Sequence, residues 1–148
     1  RLATHIRRKA IAVAVGEASP EEIRVLNLHW AAVEAMKRAL AALQPPPDAV
    51  LSDAYRIPDL PWHHEAIIKG DRKVRSIAAA SIIAKVHRDA LMRELDAEHP
   101  GYGFAIHKGY STAMHKEALA RLGPCAIHRP SFEPVRAVLA SSLVAGSL

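Results

Sequence analysis

Lys69-Gly70-Asp71-Arg72-Lys73-Val74-Arg75-Ser76-Ile77-Ala78-Ala79-Ala80-Ser81-Ile82-Ile83-Ala84-Lys85-Val86-His87-Arg88-Asp89 is the stretch on which the rest of the chain hangs. The apolar Ala66-Ile67-Ile68 before it reads as a strand end. Gly70 punctuates that strand and delivers Asp71 into the turn beyond. Ser76 then stands where it caps a helix whose first turns hold little but Ala, Ser and Ile. Residues that small let a helix lie close against a sheet. A carboxylate leaving a strand tip beside such a helix is one way an open α/β edge holds a metal or a phosphate. Turn chemistry alone reads Asp71 equally as a solvated turn residue.

Working upstream, Ala49-Val50-Leu51-Ser52-Asp53 is a short strand that also ends in a carboxylate, Tyr55 to Pro61 is a loop, and His64 to Ile68 is a second short strand. Parallel neighbours would bring Asp53 and Asp71 to one edge of the sheet. A crossover this short does not usually join adjacent parallel strands, so the two segments are also readable as offset. Two carboxylates brought close repel each other unless a cation sits between them. Hard divalent ions such as Mg²⁺ or Mn²⁺ take these oxygen ligands and share phosphate oxygens with a substrate. That set suits phosphodiester hydrolysis, one metal activating water and the other stabilising the leaving oxygen. Spacing alone does not separate it from routine strand-end aspartates.

The flanks extend the same α/β pattern. Arg1 to Lys9 is basic and finishes a helix, as cations favour a helix C-terminus. Ala10 to Gly16 reads as a strand buried on both faces. Ser19-Pro20-Glu21-Glu22 is a helix start, with Ser19 as cap, Pro20 in the first position and Glu22 closing a capping box. Ile23, Leu26, Trp30, Val33, Met36, Leu40 and Leu43 then give one apolar face, ended by Pro45-Pro46-Pro47. Downstream, the helix from Ser76 runs to about Glu98, and Pro100 to Gly103 is a loop. Ser111 caps a short helix ending at Gly123-Pro124, and Ser131 caps a last helix through Phe132, Val135, Leu139 and Leu143. Trp30 and Phe132 sit at core spacing. The whole, residues 1–148, reads as a single domain.

Composition narrows the partners. The net charge of +5 favours polyanions. No apolar run reaches bilayer length and no cationic leader precedes the fold, so no membrane partner or export is expected. The single Cys125 makes no internal disulfide and fits a reducing cytosol. His87, His107, His115 and His128 lack zinc-ligand spacing, and no base is evident for Cys125 as a nucleophile. Lys69, Arg72, Lys73 and Arg75 cluster around Asp71, placed to neutralise phosphates or simply to solvate a charged turn. On the following helix Lys85 is within reach of a phosphate, one turn beyond Ser81. Arg88 is expected to pair with Asp89 or Glu98.

Lys69-Gly70-Asp71 followed by Ala78-Ala79-Ala80-Ser81-Ile82-Ile83-Ala84-Lys85-Val86-His87-Arg88-Asp89 resembles the central signature of the ribonuclease HII family. Tyr102-Gly103-Phe104, His107-Lys108-Gly109-Tyr110-Ser111-Thr112 and His128-Arg129-Pro130-Ser131-Phe132 follow in the family's order. The resemblance covers nearly the whole chain. It implies a ribonuclease H-like three-layer α/β fold with C-terminal helices, here lacking the first strands. It also implies an endonuclease that cuts the RNA strand of RNA–DNA hybrids and ribonucleotides embedded in duplex DNA. The products carry 3′-hydroxyl and 5′-phosphate ends, Mn²⁺ or Mg²⁺ is required, and the enzyme acts as a cytoplasmic monomer in replication and repair. Asp53 and Asp71 match the family's third and fourth acidic residues and are the implied catalytic metal ligands. Tyr110 matches the tyrosine that packs on the sugar at the RNA–DNA junction, where an aromatic face accepts a deoxyribose and a 2′-hydroxyl changes the fit. Lys69, Lys73, Lys85 and Ser81 complete the implied nucleic-acid contacts. The chain departs from the pattern at two places. It has Ala54 where the family generally has Gly, and its one acidic pair, Glu21-Glu22, lies in a helix cap and not in the family's Asp-Glu motif. The expectation is therefore a sequence that starts after the family's first two strands, begins at Arg1 without an initiator Met, and is inactive on its own.

Overall fold

The structure is a computed structural model that describes residues 1–145, without side-chain detail for 143–145. Seven helices and two strands are found among the described residues: α1 (Leu2–Lys9), α2 (Pro20–Ala41), β1 (Ala49–Asp53), β2 (His63–Ile67), α3 (Gly70–Lys73), α4 (Arg75–Glu98), α5 (Phe104–His107), α6 (Ala113–Leu122) and α7 (Glu133–Ala145). The basic last turn of α1, with Arg7, Arg8 and Lys9, faces the negative end of the helix dipole as the sequence suggested.

α2 begins on the expected capping box: Ser19 Oγ accepts from the Glu22 N–H at 3.1 Å, and Glu22 accepts from the Ser19 N–H at 2.8 Å. It does not continue as one helix. Asn27 takes φ 66°, ψ 170°, and its side-chain oxygen accepts from the N–H groups of His29 (2.9 Å) and Trp30 (3.2 Å). Asn27 thus caps a second helical stretch, the use for which its short amide is suited. The break turns the apolar face. Val33 is buried and Met36 and Leu40 pack with it against the sheet, while Trp30 remains 49% exposed and is not the core residue its spacing suggested.

Residues 10–16 do not form the expected strand. A strand needs a neighbour for its N–H and C=O groups, and the sheet of the described residues contains only β1 and β2. Ile11 is 90% exposed. The segment meets α2 at its end instead, so closely at Gly16 that a Cβ there would lie 2.0 Å from the Ala35 carbonyl oxygen. Arg38 Nη1 donates to the Glu17 carbonyl at 2.7 Å, and the Glu17 carboxylate pairs with His87 of α4.

β1 and β2 pair in parallel, with Ala49 opposite His63 and Asp53 opposite Ile67. The offset alternative is therefore set aside, and the connection explains why. Residues 54–62 can span about 30 Å when extended, roughly twice the length of a five-residue strand. Ile57 is buried in that link, and Leu60 and Trp62 pack against the same cluster as Val33 and Val50, so the return path carries its own apolar anchors. A second core lies among the C-terminal elements: Met92, Tyr102, Phe104, Ala118, Leu119 and Val135, with Phe132 packed against it as predicted.

Three helix starts differ from the sequence reading. The single turn α3 intervenes before α4, whose cap position is the extended Val74 with no side-chain bond, so Ser76 falls inside the helix. Thr112, not Ser111, caps α6, its hydroxyl accepting from His115 N–H at 3.2 Å. α7 starts at Glu133, after both Ser131 and Phe132; the expected contribution of Leu143 lies outside the described side chains.

Candidate active site

The two candidate carboxylates are joined through one peptide. Asp53 closes β1, half-buried, and its Oδ1 accepts the N–H of Gly70 at 2.8 Å. Gly70 is buried, and a Cβ on it would lie 2.6 Å from Ile77 Cδ1 and 3.5 Å from Asp53 Cα. The absence of a side chain lets the tip of β1, the turn after β2 and the first turn of α4 meet here without displacing the Ile77 side chain. Lys69 enters the turn in the left-handed region (φ 56°), and Asp71 follows Gly70 in the first turn of α3, exposed. Lys69, Arg72, Lys73 and Arg75 are exposed around it. Behind this edge the Ser52 hydroxyl donates to the Tyr55 carbonyl at 2.6 Å, which leaves His64 Nε2, 2.8 Å away, to donate to Ser52 Oγ. Ala54, where a glycine was expected, adopts φ 63°, the conformation a glycine takes without steric cost.

The second predicted group lies farther along α4. Tyr110 is 64% exposed at the tip of the segment between α5 and α6. Two left-handed residues, Lys108 (φ 52°) and Gly109 (φ 79°), turn the chain there. Arg88 Nη2 donates to the Lys108 carbonyl at 3.1 Å, so Arg88 secures this loop and does not pair with Asp89 or Glu98. Asp89 is taken by Lys85 at 2.9 Å, a contact that lowers the carboxyl's pKa and raises that of the lysine. Lys85 precedes Arg88 by one turn of α4, on the stretch of that helix which meets the loop through the Lys108 carbonyl. Ser81 is exposed one turn earlier. From Arg75 to Lys85 the helix rises about 15 Å, so α4 carries the aspartate turn at one end and Lys85 with the Tyr110 loop near its middle.

Residues 1–135 match the ribonuclease HII family. The chain belongs to that family. Ribonuclease HII of Vibrio campbellii (strain ATCC BAA-1116) is 51% identical over 138 residues, which cover 93% of this chain and 65% of that protein. Ribonuclease HII of Anaeromyxobacter sp. (strain Fw109-5) is 51% identical over 148 residues, 100% of this chain and 47% of that protein. Ribonuclease HII 2 of Methylibium petroleiphilum is 53% identical over 139 residues, 94% of this chain and 64% of its own length. The chain thus spans about half to two thirds of the curated relatives it matches. The crystal structure of the ribonuclease H2 from Pyrococcus horikoshii OT3 superposes with a TM-score of 0.65 over 83% of this chain and 66% of that one, at 24% identity, and establishes the shared ribonuclease H-like fold. No helix among the described residues is long and apolar enough to cross a membrane.

For a ribonuclease HII chain, Asp53 and Asp71 suit a hard cation in kind, being oxygen donors at an open edge. They fall short in number, because no group of three or more His, Cys, Asp or Glu among the described residues is placed to hold a metal ion.

Spacing gave no sign of the buried cluster that anchors the tyrosine loop. His107, His115 and His128 come from α5, α6 and the turn before α7, yet they meet in the C-terminal core. His107 and His115 stack with ring centres 4.2 Å apart, and His115 Nε2 lies 3.1 Å from His128 Nε2. Their partners fix every proton. The Cys125 N–H donates to His128 Nδ1 at 3.0 Å, so the His128 proton is on Nε2 and donates to His115. His115 keeps its proton on Nδ1 and donates to the Tyr110 carbonyl at 2.9 Å. His107 accepts the Gly109 N–H on Nδ1 at 3.1 Å and donates from Nε2 to the Tyr102 carbonyl at 2.8 Å. All three rings are neutral in this wiring. Burial lowers the pKa of His115 and pushes His128 down to about 4. Cys125 Sγ sits 3.1 Å from His128 Nδ1, an imidazole the sequence reading had not placed beside it. That nitrogen is already engaged by the Cys125 N–H, which makes the pair a closed turn and not an activated thiol.

Proposed function

We propose that these residues form the aspartate edge and the junction-reading loop of an endoribonuclease, a monomer of the cytoplasm serving replication and repair. It hydrolyses the RNA strand of RNA–DNA hybrids and ribonucleotides embedded in duplex DNA, leaving 3′-hydroxyl and 5′-phosphate ends. The observation that carries the reading is the Gly70 N–H to Asp53 Oδ1 bond, which brings the two carboxylate-bearing positions to one edge in a ribonuclease HII chain. Asp53 and Asp71 contribute ligands for Mn²⁺ or Mg²⁺, the remaining ligands coming from outside these residues, as the donor shortfall requires. Lys69 and Lys73 face the phosphates nearest the scissile bond, where positive charge offsets the approach of backbone to carboxylate. Ser81 and Lys85 continue the track along α4, Lys85 exchanging Asp89 for a phosphate oxygen on binding. The exposed face of Tyr110 packs on the deoxyribose at the junction.

The 148 residues alone do not cleave, since two carboxylates are too few to stabilise the charge that develops on the phosphate. The test is cleavage, with Mn²⁺, of a DNA duplex holding one ribonucleotide. It compares this chain with a chimera in which Vibrio campbellii ribonuclease HII supplies the part the chain does not match. Cleavage by the chimera alone, abolished by Asp53→Asn or Asp71→Asn, is the expected result. Cleavage by the isolated chain at a comparable rate refutes the claim of inactivity. Salt-sensitive binding with no cleavage in either protein replaces the enzyme by a non-catalytic nucleic-acid-binding module.

A further inference from the structure

Among the described residues, the side chain that holds Tyr110 is that of His115. Tyr110 exposes its ring, but its carbonyl accepts two bonds, from the Thr112 N–H at 2.9 Å and from His115 Nδ1–H at 2.9 Å. His115 is 2% exposed and is clamped on every side. His107 of α5 stacks on it, Phe104 meets it edge-on with ring centres 5.8 Å apart, Phe132 lies 5.7 Å away, and His128 occupies its other nitrogen. A ring with so little freedom transmits the position of the C-terminal core to one atom of an exposed loop. The loop needs that hold, because Lys108 and Gly109 lie in the left-handed region and give it no regular secondary structure of its own.

We infer that His115 is a positioning residue for Tyr110: its Nδ1–H fixes the Tyr110 carbonyl, and His128, by occupying Nε2, keeps the His115 proton on Nδ1. The inference rests on the role proposed above for Tyr110 at the ribonucleotide junction. An imidazole held this way acts through orientation, as a histidine does when a partner on one nitrogen dictates the state of the other.

The experiment uses the full 148-residue chain with His115→Phe, His115→Asn and Tyr110→Ala. Phenylalanine keeps the packing and removes both hydrogen bonds. Asparagine places an amide N–H where Nδ1–H stood. Nitrogen shifts of His115 in the parent are expected to report the proton on Nδ1; a proton on Nε2 overturns the inference. Amide exchange of Thr112 and Tyr110 is expected to quicken about tenfold in His115→Phe, the equivalent of one hydrogen bond, and to recover in His115→Asn, with the amides of α4 unchanged. Equal acceleration of the α4 amides, or no recovery in His115→Asn, marks a merely structural residue and overturns it. Fluorescence anisotropy then compares a DNA duplex holding one ribonucleotide with the all-DNA duplex. A severalfold loss of preference in His115→Phe and Tyr110→Ala, restored in His115→Asn, supports the inference. Loss in Tyr110→Ala alone overturns it. A preference untouched by Tyr110→Ala removes the junction role of the tyrosine itself, and the exchange data still report separately whether His115 anchors the loop.

Discussion

Acidification from pH 7.5 to 5 is expected to weaken the fold through the buried histidines before the carboxylates take up protons. Burial, then the neighbouring imidazoles of His115, His99 and His107, pushes His128 from 6.5 down to about 4. His115 is shifted in the same direction, again by burial first. When the folded-state pKa is the lower one, the unfolded chain binds the proton first. The contribution is therefore complete above about pH 6.5, declines as the pH falls below that value, and levels off near 4, where folded His128 is protonated as well. The full interval corresponds to an upper bound of roughly 3 kcal/mol at 1.36 kcal/mol per unit. The portion above pH 5, reduced for the solvent that still reaches the ring, amounts to about 1–2 kcal/mol. That is a sizeable part of the 5–15 kcal/mol typical of a folded domain. Glu22, which Arg38 holds at about 2, acts in another range, its contribution being lost only as the pH falls from 4.5 toward 2. Urea unfolding followed by far-ultraviolet circular dichroism at pH 7.5, 6 and 5 measures the slope, in the parent and in His128→Gln. The parent should lose stability across the series, and the variant, less stable at pH 7.5, should show a flatter dependence. A flat parent, or an equal slope in His128→Gln, refutes the assignment of the loss to this cluster.

Ala54→Gly should stabilise the chain by about 1 kcal/mol, because it removes the side chain from a left-handed backbone (φ 63°), and the melting temperature reads the gain directly. Asp53→Asn should keep most of the stability, since an amide oxygen still accepts the Gly70 N–H, whereas Asp53→Ala leaves that donor unpaired on a buried residue at a cost of about 1–3 kcal/mol. Equal stability of the two variants in urea would show that the bond does not hold the edge together.

Much of the fold was legible because it rests on local chemistry. The Ser19 capping box, the strand at Ala49–Asp53 and the end of α4 at Glu98 each follow from adjacent residues. The arrival of Asp53 and Asp71 at one edge was one of two readings, because the short link left the strands readable as offset, and it took the observed parallel pairing to decide it. What escaped the sequence depended on partners far along the chain. Ala10 to Gly16 has the composition of a strand, but a strand is a relation between two segments. Asn27 looks like an ordinary helix interior residue until its amide takes up the N–H groups of His29 and Trp30. Ser76 and Ser111 are sound capping residues displaced by one local event each, the interposed turn of α3 and the turn in which the Thr112 N–H binds the Tyr110 carbonyl. The histidine cluster had no periodic signal at all, because its three rings come from three separate elements.

The link between β1 and the turn after β2 also decides how much slack the aspartate edge has. Asp53 lies opposite Ile67, the Ala54 N–H continues the ladder to the Ile67 carbonyl at 3.0 Å, and Gly70 then returns to the Asp53 side chain. Apart from the short carboxylate arm of Asp53, the path between the two aspartates is made of peptide units, with no long rotatable side chain among them. A one-residue slip of β2 would shift the turn by about 3.3 Å and carry His64 away from Ser52. Their separation is therefore quantised by strand register, and adjustment of either aspartate toward a substrate falls to rotation about the bonds of its own short side chain.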